Sequence, residues 1–183
     1  MKPLFREFIA SGMAGVVRTG LTRDELLVKL GEPIGYKGYP PELGLHEREL
    51  MNASVWFYYD KSVGVGFDDS GHSIWVTVYP EHSKGSGWPF EDSPFASGAT
   101  MGEFRKYLTG TNLPFWECDE GVHFILAAKR CYTFCTYYRE GVELSRDERP
   151  ILYVSFVERP ELLPSHIQKY MRHGKSADEP WRT

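Results

Sequence analysis

Thr22-Arg23-Asp24-Glu25-Leu26-Leu27-Val28-Lys29-Leu30-Gly31-Glu32-Pro33 reads as one capped helix, and Thr100-Met101-Gly102-Glu103-Phe104-Arg105-Lys106-Tyr107-Leu108 opens a second in the same way. Both begin T-x-x-E, a capping box: the threonine hydroxyl accepts the N3 amide and the glutamate reaches back to the threonine amide. The first helix is expected to stop at Gly31, suited to a left-handed cap, with Pro33 unable to continue it. The two threonines stand 78 residues apart (100 less 22), and the same offset sets Leu26 on Phe104 and Leu30 on Leu108.

That offset runs on through the strand-like segments. It lays Val55–Tyr59 on Thr133–Tyr137, Gly64 and Val65 on Val142 and Glu143, and Ile74–Tyr79 on Leu152–Val157. One T-x-x-E is weak evidence, but a helix start and three strand-like runs at one offset predict an internal repeat. The fold class expected is α+β. Each of two tandem units is a capped helix packed on an antiparallel meander, and the two sheets are open to joining as one continuous concave sheet. The units span residues 18–82 and 96–160. An N-terminal helical segment, 1–17, precedes them, a Gly-, Ser- and Pro-rich connector, 83–95, joins them, and a short helix with a polar tail, 161–183, follows. Short helices are expected over 3–10 and 165–172. Val122–Ala128 reads as a further strand of the second unit, against a more polar counterpart at Leu43–Leu50.

Alternation along the strands sorts their side chains into two faces. Ile74, Val76 and Val78, with Leu152, Val154 and Phe156, form an aliphatic set, and Val63, Val65 and Phe67 leave only glycines opposite. This set is expected to take the helices, joined by Val55, Phe57, Tyr59, Thr133, Cys135 and Tyr137. The other face then carries Trp56, Tyr58, Trp75, Tyr79, Phe134, Tyr138 and Tyr153. Amphipathic aromatics with small residues between them suit a recognition surface. The competing reading is that flanking helices or the other unit cover them. Asp60, Asp68 and Asp69, together with Asp92, are placed around the aromatics as acids that meet a basic cleft on a partner; a solvated rim or plain turn chemistry is the simpler reading of each.

Composition limits the rest. The chain has 183 residues, 42% hydrophobic and 25% charged, which excludes a largely disordered chain. A net charge of −4 without Lys/Arg runs speaks against nucleic acid as a partner. No apolar stretch is long enough to span a membrane, and Arg6 and Glu7 interrupt the N-terminal segment, so a cytoplasmic location is expected. The 3 cysteines, Cys118, Cys131 and Cys135, lack a C-x-x-C and read as reduced thiols. With His123 nearby they fit no common zinc spacing, so neither metal nor any other cofactor is expected. A Cys–His nucleophile pair with His123, His72 or His82 has no local signature, and no phosphate-loop, zinc-protease or nucleophile-elbow motif occurs.

The run Gly20-Leu-Thr-Arg-Asp-Glu-Leu-Leu-Val-Lys-Leu-Gly-Glu-Pro33, followed by Trp56-Phe-Tyr58, Val63–Phe67 and a Gly71 turn into Ile74–Val78, resembles small actinobacterial immunity-type proteins of polymorphic toxin systems. The helix-then-sheet unit is also similar to SmpA/OmlA-type domains and to the β-lactamase-inhibitor-protein fold, in which two tandem units form a concave sheet that grips a target enzyme. The second unit departs from the motif at Leu108-Thr-Gly-Thr-Asn112. The resemblance implies a non-catalytic cytoplasmic inhibitor that binds and occludes a cognate toxin enzyme. Two other readings stand beside it: an adaptor module of a larger assembly, and a small-molecule binder or enzyme that uses the concave face as a pocket.

Overall fold

The computed structural model describes residues 2–37, 55–84, 87–95, 98–119, 123–139, 141–165, 167 and 168. Among the described residues three α-helices, α1 (Phe5–Ser11), α2 (Arg23–Leu30) and α3 (Met101–Gly110), accompany ten strands. The strands are β1 (Gly35–Lys37), β2 (Val55–Tyr58), β3 (Val63–Phe67), β4 (Ser73–Val78), β5 (Phe115–Asp119), β6 (His123–Ala127), β7 (Cys131–Cys135), β8 (Tyr138–Arg139), β9 (Val142–Glu143) and β10 (Ile151–Val157). Eight of them form one antiparallel sheet in the order β1-β2-β3-β4-β10-β7-β6-β5, and β8 and β9 form a separate hairpin. The α+β class expected from the sequence is therefore present, with a continuous sheet. No described helix is long and apolar enough to cross a membrane.

The helices start where their caps place them. Thr22 Oγ1 accepts from Glu25 N at 3.2 Å, and Glu25 Oε2 accepts from Thr22 N at 2.8 Å. Thr100 Oγ1 likewise accepts from Glu103 N at 3.3 Å, while the Glu103 carboxylate accepts from Lys106. Gly31 ends α2 at φ +75°, its N–H bonded to Leu27 O. Leu43–Leu50 and the tail from residue 169 lie outside the described residues.

One face of the sheet carries the helices and a single core. Phe5, Phe8, Leu26, Met101, Phe104 and Leu108 from the helices meet Val63, Val65, Val76, Val78, Val154 and Phe156 from the strands. The connector is part of this core. Trp88, Phe90 and Phe95 are buried against Phe5, which stacks on Trp88 at 6.0 Å and meets Phe90 edge-on at 5.0 Å. Asp92 accepts from Phe5 N at 2.6 Å and from Tyr107 Oη at 2.9 Å, so it ties α1 to α3 and is no rim acid.

Register corrects several expected placements. In the β2–β3 ladder Trp56 stands opposite Val65, which stands opposite Val76. Trp56 and Tyr58 therefore join the helix-side core, at 0% and 3% exposure, and Val55 and Phe57 turn to the open face. Alternation alone defines two sets in a strand, but only the pairing says which set shares a face with the neighbour. A bulge shifts register in β4, so that Gly66 pairs Trp75 and Phe67 pairs Ser73; another in β10 makes Phe134 pair Tyr153 and Cys135 pair Ile151. The skipped residues, Ile74 and Leu152, leave the aliphatic set; Ile74 is half-buried and Leu152 is exposed.

The strand-for-strand correspondence also changes. Outward from the central pair β4–β10, β3 and β7 are the next strands and β2 and β6 the ones after. Val55–Tyr58 thus stands level with β6 rather than with Thr133, and Val142–Glu143 is half of the β8–β9 hairpin rather than a partner of Gly64–Val65. The connection 38–54 before β2 and the excursion 136–150 before β10 are both long, and they compensate in length.

Trp56→Ala is expected to destabilise the fold by about 3–5 kcal/mol, since it removes a fully buried indole. Urea unfolding monitored by circular dichroism measures this; a change below about 1 kcal/mol would contradict the placement of Trp56.

Candidate functional site

The face of the sheet opposite the helices is built mainly from rings. From β2 to β6 its positions are Val55 and Phe57, Gly64 and Gly66, Trp75 and Thr77, Tyr153, Ser155 and Val157, Tyr132 and Phe134, and Phe124 and Leu126, none of them charged. Two glycines make the layer lie flat. A Cβ on Gly66 would fall 0.5 Å from Trp75 Nε1, so the indole rests directly over this backbone. A Cβ on Gly64 would sit 3.3 Å from Tyr79 and 3.4 Å from Phe57, which makes Gly64 the floor between those rings. Phe57 and Tyr79 are 5.9 Å apart at 48°. Across the centre, Phe134 meets Tyr153 at 6.0 Å and Tyr132 at 5.7 Å.

The centre of this face is hydroxylated. Thr77 and Ser155, paired in the β4–β10 ladder, hydrogen bond through their side chains at 2.6 Å. Burial pushes the phenols of Tyr79, Tyr132 and Tyr153 up, and the neighbouring Tyr153 adds to the rise at Tyr79 and Tyr132. All three stay protonated hydrogen-bond donors near neutral pH.

Four residues expected on a recognition surface are thus together: Trp75, Tyr79, Phe134 and Tyr153, each half-buried. Trp56 and Tyr58 are in the opposite core. Tyr138 belongs to the β8–β9 hairpin, because the main ladder of β7 ends at Cys135. The three acids do not form one cluster. Asp60 lies in the left-handed turn before β3, at φ 52°, whereas Asp68 and Asp69 lie in the turn after it, at the other end of the strand. Asp68 Oδ1 accepts from Ser70 N, Ser70 Oγ and His72 N, which is turn chemistry and holds its carboxyl below the ordinary value, the Ser70 hydroxyl contributing most.

A second polar site closes the helix-side core at the β5 edge. Glu117 takes two bonds from Arg105, at 2.6 and 2.9 Å, one from His123 Nε2 at 2.8 Å and one from Arg146 at 3.1 Å. Arg149 binds Asp119, donates to His123 Nδ1 at 3.0 Å and lies 4.4 Å over the Tyr137 ring, and Arg105 also binds Asp147. An arginine only donates, so His123 Nδ1 accepts and the ring proton is assigned to Nε2, facing Glu117. Burial alone would raise the Glu117 pKa. Hydrogen bonds from His123 and Arg105, with the charges of Arg105 and Arg146, outweigh it and hold the carboxyl well below the usual carboxylate range. Both nitrogens of His123 are engaged and the ring is fully buried, so this cluster anchors Arg146 and Arg149, which precede β10, to β5 and β6. The sequence shows Glu117 and Asp119 two apart on one strand face, yet no local signal pairs them with Arg105 or Arg149.

The thiols Cys118, Cys131 and Cys135 are free and buried. Burial pushes Cys135 up to about 11, and its Sγ donates to the backbone oxygen of His123 at 3.7 Å. Among the described residues no group of three His, Cys, Asp or Glu side chains is placed to hold a metal ion. No family model, curated protein or solved structure matches the chain.

The folded-state pKa of Glu117 lies below its unfolded value of about 4.3, so its stabilising contribution is present above that pH and is lost as pH falls towards the folded value. Glu117→Gln is expected to cost about 3 kcal/mol at pH 7, because Arg105 and Arg146 lose their common charged acceptor. It should also flatten the stability profile below about pH 4. Thermal melts of both proteins between pH 2 and 7 measure the two effects.

Proposed function

We propose that the protein is a non-catalytic inhibitor of the immunity type, which binds a cognate toxin enzyme in the cytoplasm and occludes its active cleft. The observation that carries this reading is the open face. Trp75, Tyr79, Phe134 and Tyr153, from or beside three strands, stand in one uncharged aromatic layer with Gly64, Gly66, Thr77 and Ser155 between them. Tyrosine and tryptophan held flat by a sheet present large contact area at little entropic cost, and such residues concentrate the energy of protein interfaces. A stable complex of ordinary size buries roughly 1,600 Å² in total, which a face of this breadth can supply.

The duplication read from the sequence belongs to the same proposal, and backbone details support it. Ser73 N donates to Leu21 O at 2.8 Å, and Ile151 N donates to Ala99 O at 2.7 Å. Thr22 bridges to His72, and Thr100 to Pro150. The bulge residues are Ile74 and Leu152, and Thr77 pairs with Ser155. Every one of these correspondences has the offset of 78 that separates Thr77 from Ser155. Where like positions pair with each other, a contact has the self-complementary form of a two-fold interface. The wide, continuous open face follows from that junction.

Affinity for the toxin encoded by the neighbouring gene, measured by titration calorimetry, tests the reading. Among Trp75→Ala, Tyr79→Ala and Tyr153→Ala, at least one is expected to weaken binding by about 2 kcal/mol, roughly thirtyfold, with the fold retained. Unchanged affinity in all three would remove the open face as the binding surface.

A further inference from the structure

A cavity of about 380 Å³ opens on the helix side of the sheet, where Lys2 and Pro3, the turn Gly15-Val16, Tyr59 and the connector at Gly87–Pro89 meet. Its walls are tied to one another. Lys2 Nζ donates to Trp88 O at 2.6 Å and Glu91 N donates to Pro3 O at 3.0 Å, which fastens the first residues to the connector. Ser62, fully buried, does the same for the turn between β2 and β3. Its N–H donates to Tyr59 O at 2.9 Å, and its hydroxyl shares one proton between Tyr59 O at 2.6 Å and Gly87 O at 3.0 Å. Ala14 and Val17 close the turn after α1 with two backbone bonds, of 2.8 and 3.1 Å. Glycines make room for the central ring: a Cβ on Gly15, at φ +64°, would fall 2.5 Å from Tyr59 Oη, and one on Gly87 2.7 Å from Tyr59 O. Tyr59 itself has φ 52°, in the left-handed region that bulky side chains avoid. Such strain persists where the surroundings over-determine it, and it clusters at ligand sites.

The chemistry of the lining is one-sided. Four of its main-chain acceptors, Pro3 O, Tyr59 O, Gly87 O and Trp88 O, already receive hydrogen bonds. The side chains on offer are donors. Lys2 is exposed, keeps two ammonium protons beyond its bond to Trp88 O, and takes part in no ion pair among the described residues. Tyr59 Oη accepts from Val16 N at 3.4 Å, so its own proton is left to donate. Asp60 reaches Gly87, with Oδ2 2.7 Å from the Cβ position there, but stands outside the lining. Around the two donors the walls are apolar, from Pro3, Val16, Trp88 and Pro89. A cation and a phenol in an apolar cavity match a ligand that carries a carboxylate on an apolar body. At the roughly 30 Å³ that a water takes in the liquid, the cavity holds about a dozen non-hydrogen atoms. An extended peptide fits less well, because it brings N–H groups to acceptors that are already taken.

We propose that this cavity binds a small organic acid with an apolar ring or branched chain. The Lys2 ammonium takes its carboxylate, the Tyr59 hydroxyl supplies a second donor, and the apolar part lies against Val16 and Pro89. Charge complementarity selects an anion over an amine or a neutral analogue of the same shape. The cavity is on the opposite side of the sheet from the aromatic layer, so this is a second binding function, independent of the reading of the open face.

The probe is 3-phenylpropanoate, titrated into the ¹⁵N-labelled full-length protein. Saturable shifts are expected at the amides of Gly15, Val16, Tyr59, Gly87 and Trp88, with a Kd of about 1 mM for an anion of this size. 3-Phenylpropanamide, which keeps the ring and loses the charge, should bind about fivefold more weakly, and 3-phenylpropylamine should give no saturable shifts. Lys2→Met should weaken binding of the acid about fivefold, and the wild-type affinity should fall as salt rises. Val16 is 51% exposed, so Val16→Asp keeps the fold while it sets a like charge at the rim. It should weaken binding about tenfold, with circular dichroism unchanged. Three outcomes would overturn the proposal: no shifts up to the solubility limit of the acid, equal shifts from acid, amide and amine, or an affinity indifferent to both Lys2→Met and Val16→Asp. N-acetylated Gly-Gly-Phe separates a free acid from a chain terminus. Tighter binding of that peptide than of 3-phenylpropanoate at the same amides would overturn the assignment to a small acid.

Discussion

The β4–β10 ladder is the contact on which the rest of the molecule depends. It joins two groups of four strands into one sheet, and among the described residues no other strand pairing links them. Its helix-side positions, Val76, Val78, Val154 and Phe156, lie in the middle of the core on which α1, α2 and α3 rest. Its other side buries two hydroxyls, Thr77 and Ser155, which satisfy each other at 2.6 Å. A buried hydroxyl without a partner costs energy, so the pair also helps to fix register at the centre. A slip of one residue would place valines under the aromatic layer and hydroxyls under the helices.

The two faces of the sheet are closed by different means. The helix side is filled by apolar side chains and ends at the β5 edge in the Glu117 cluster. A buried ionic group of this kind adds little net stability over an apolar one, but it demands its partners. Three members of the cluster, Arg146, Asp147 and Arg149, lie on the excursion before β10 and pair with Glu117, Arg105 and Asp119, so the cluster sets where that excursion docks. The open side carries none of α1, α2 and α3. Its rings lie flat because Gly64 and Gly66 vacate the space above their own backbone, and on one flank the segment after β10 completes the layer.

This difference between the flanks sets the two sides of the open face apart. A symmetric pair of covers would have made the sheet a closed sandwich. Sending the connector to the helix side strengthens the core around Phe5 and Trp88, and it leaves Phe57, Tyr79 and Trp75 half-buried around a glycine floor. The helix-side core and the exposure of the open face thus both depend on where a single connector runs.

The sequence by itself determined the elements whose cause is local. Thr22, Glu25 and Gly31 specify α2 through hydrogen bonds that reach at most four residues, and the alternation of Val63–Phe67 with its glycines marks β3 wherever that strand is placed. The α+β class, the antiparallel pairing and four of the aromatic residues of the open face were legible on those grounds. Tertiary structure decided whatever depends on pairing. Trp56 belongs to the core because it stands opposite Val65, and Leu152 is exposed because a bulge skips it; neither register nor bulge is written within one strand. A constant offset between the ends of the two halves concealed a long connection in each, since compensating lengths leave no trace in an end-to-end count. The Glu117 cluster joins residues up to 42 positions apart, and the cover at Leu163 and Ile167 is chosen by a chain direction after a turn that both halves share. Local hydrogen bonds are encoded within a few residues, whereas the choice of face is made only when distant strands meet.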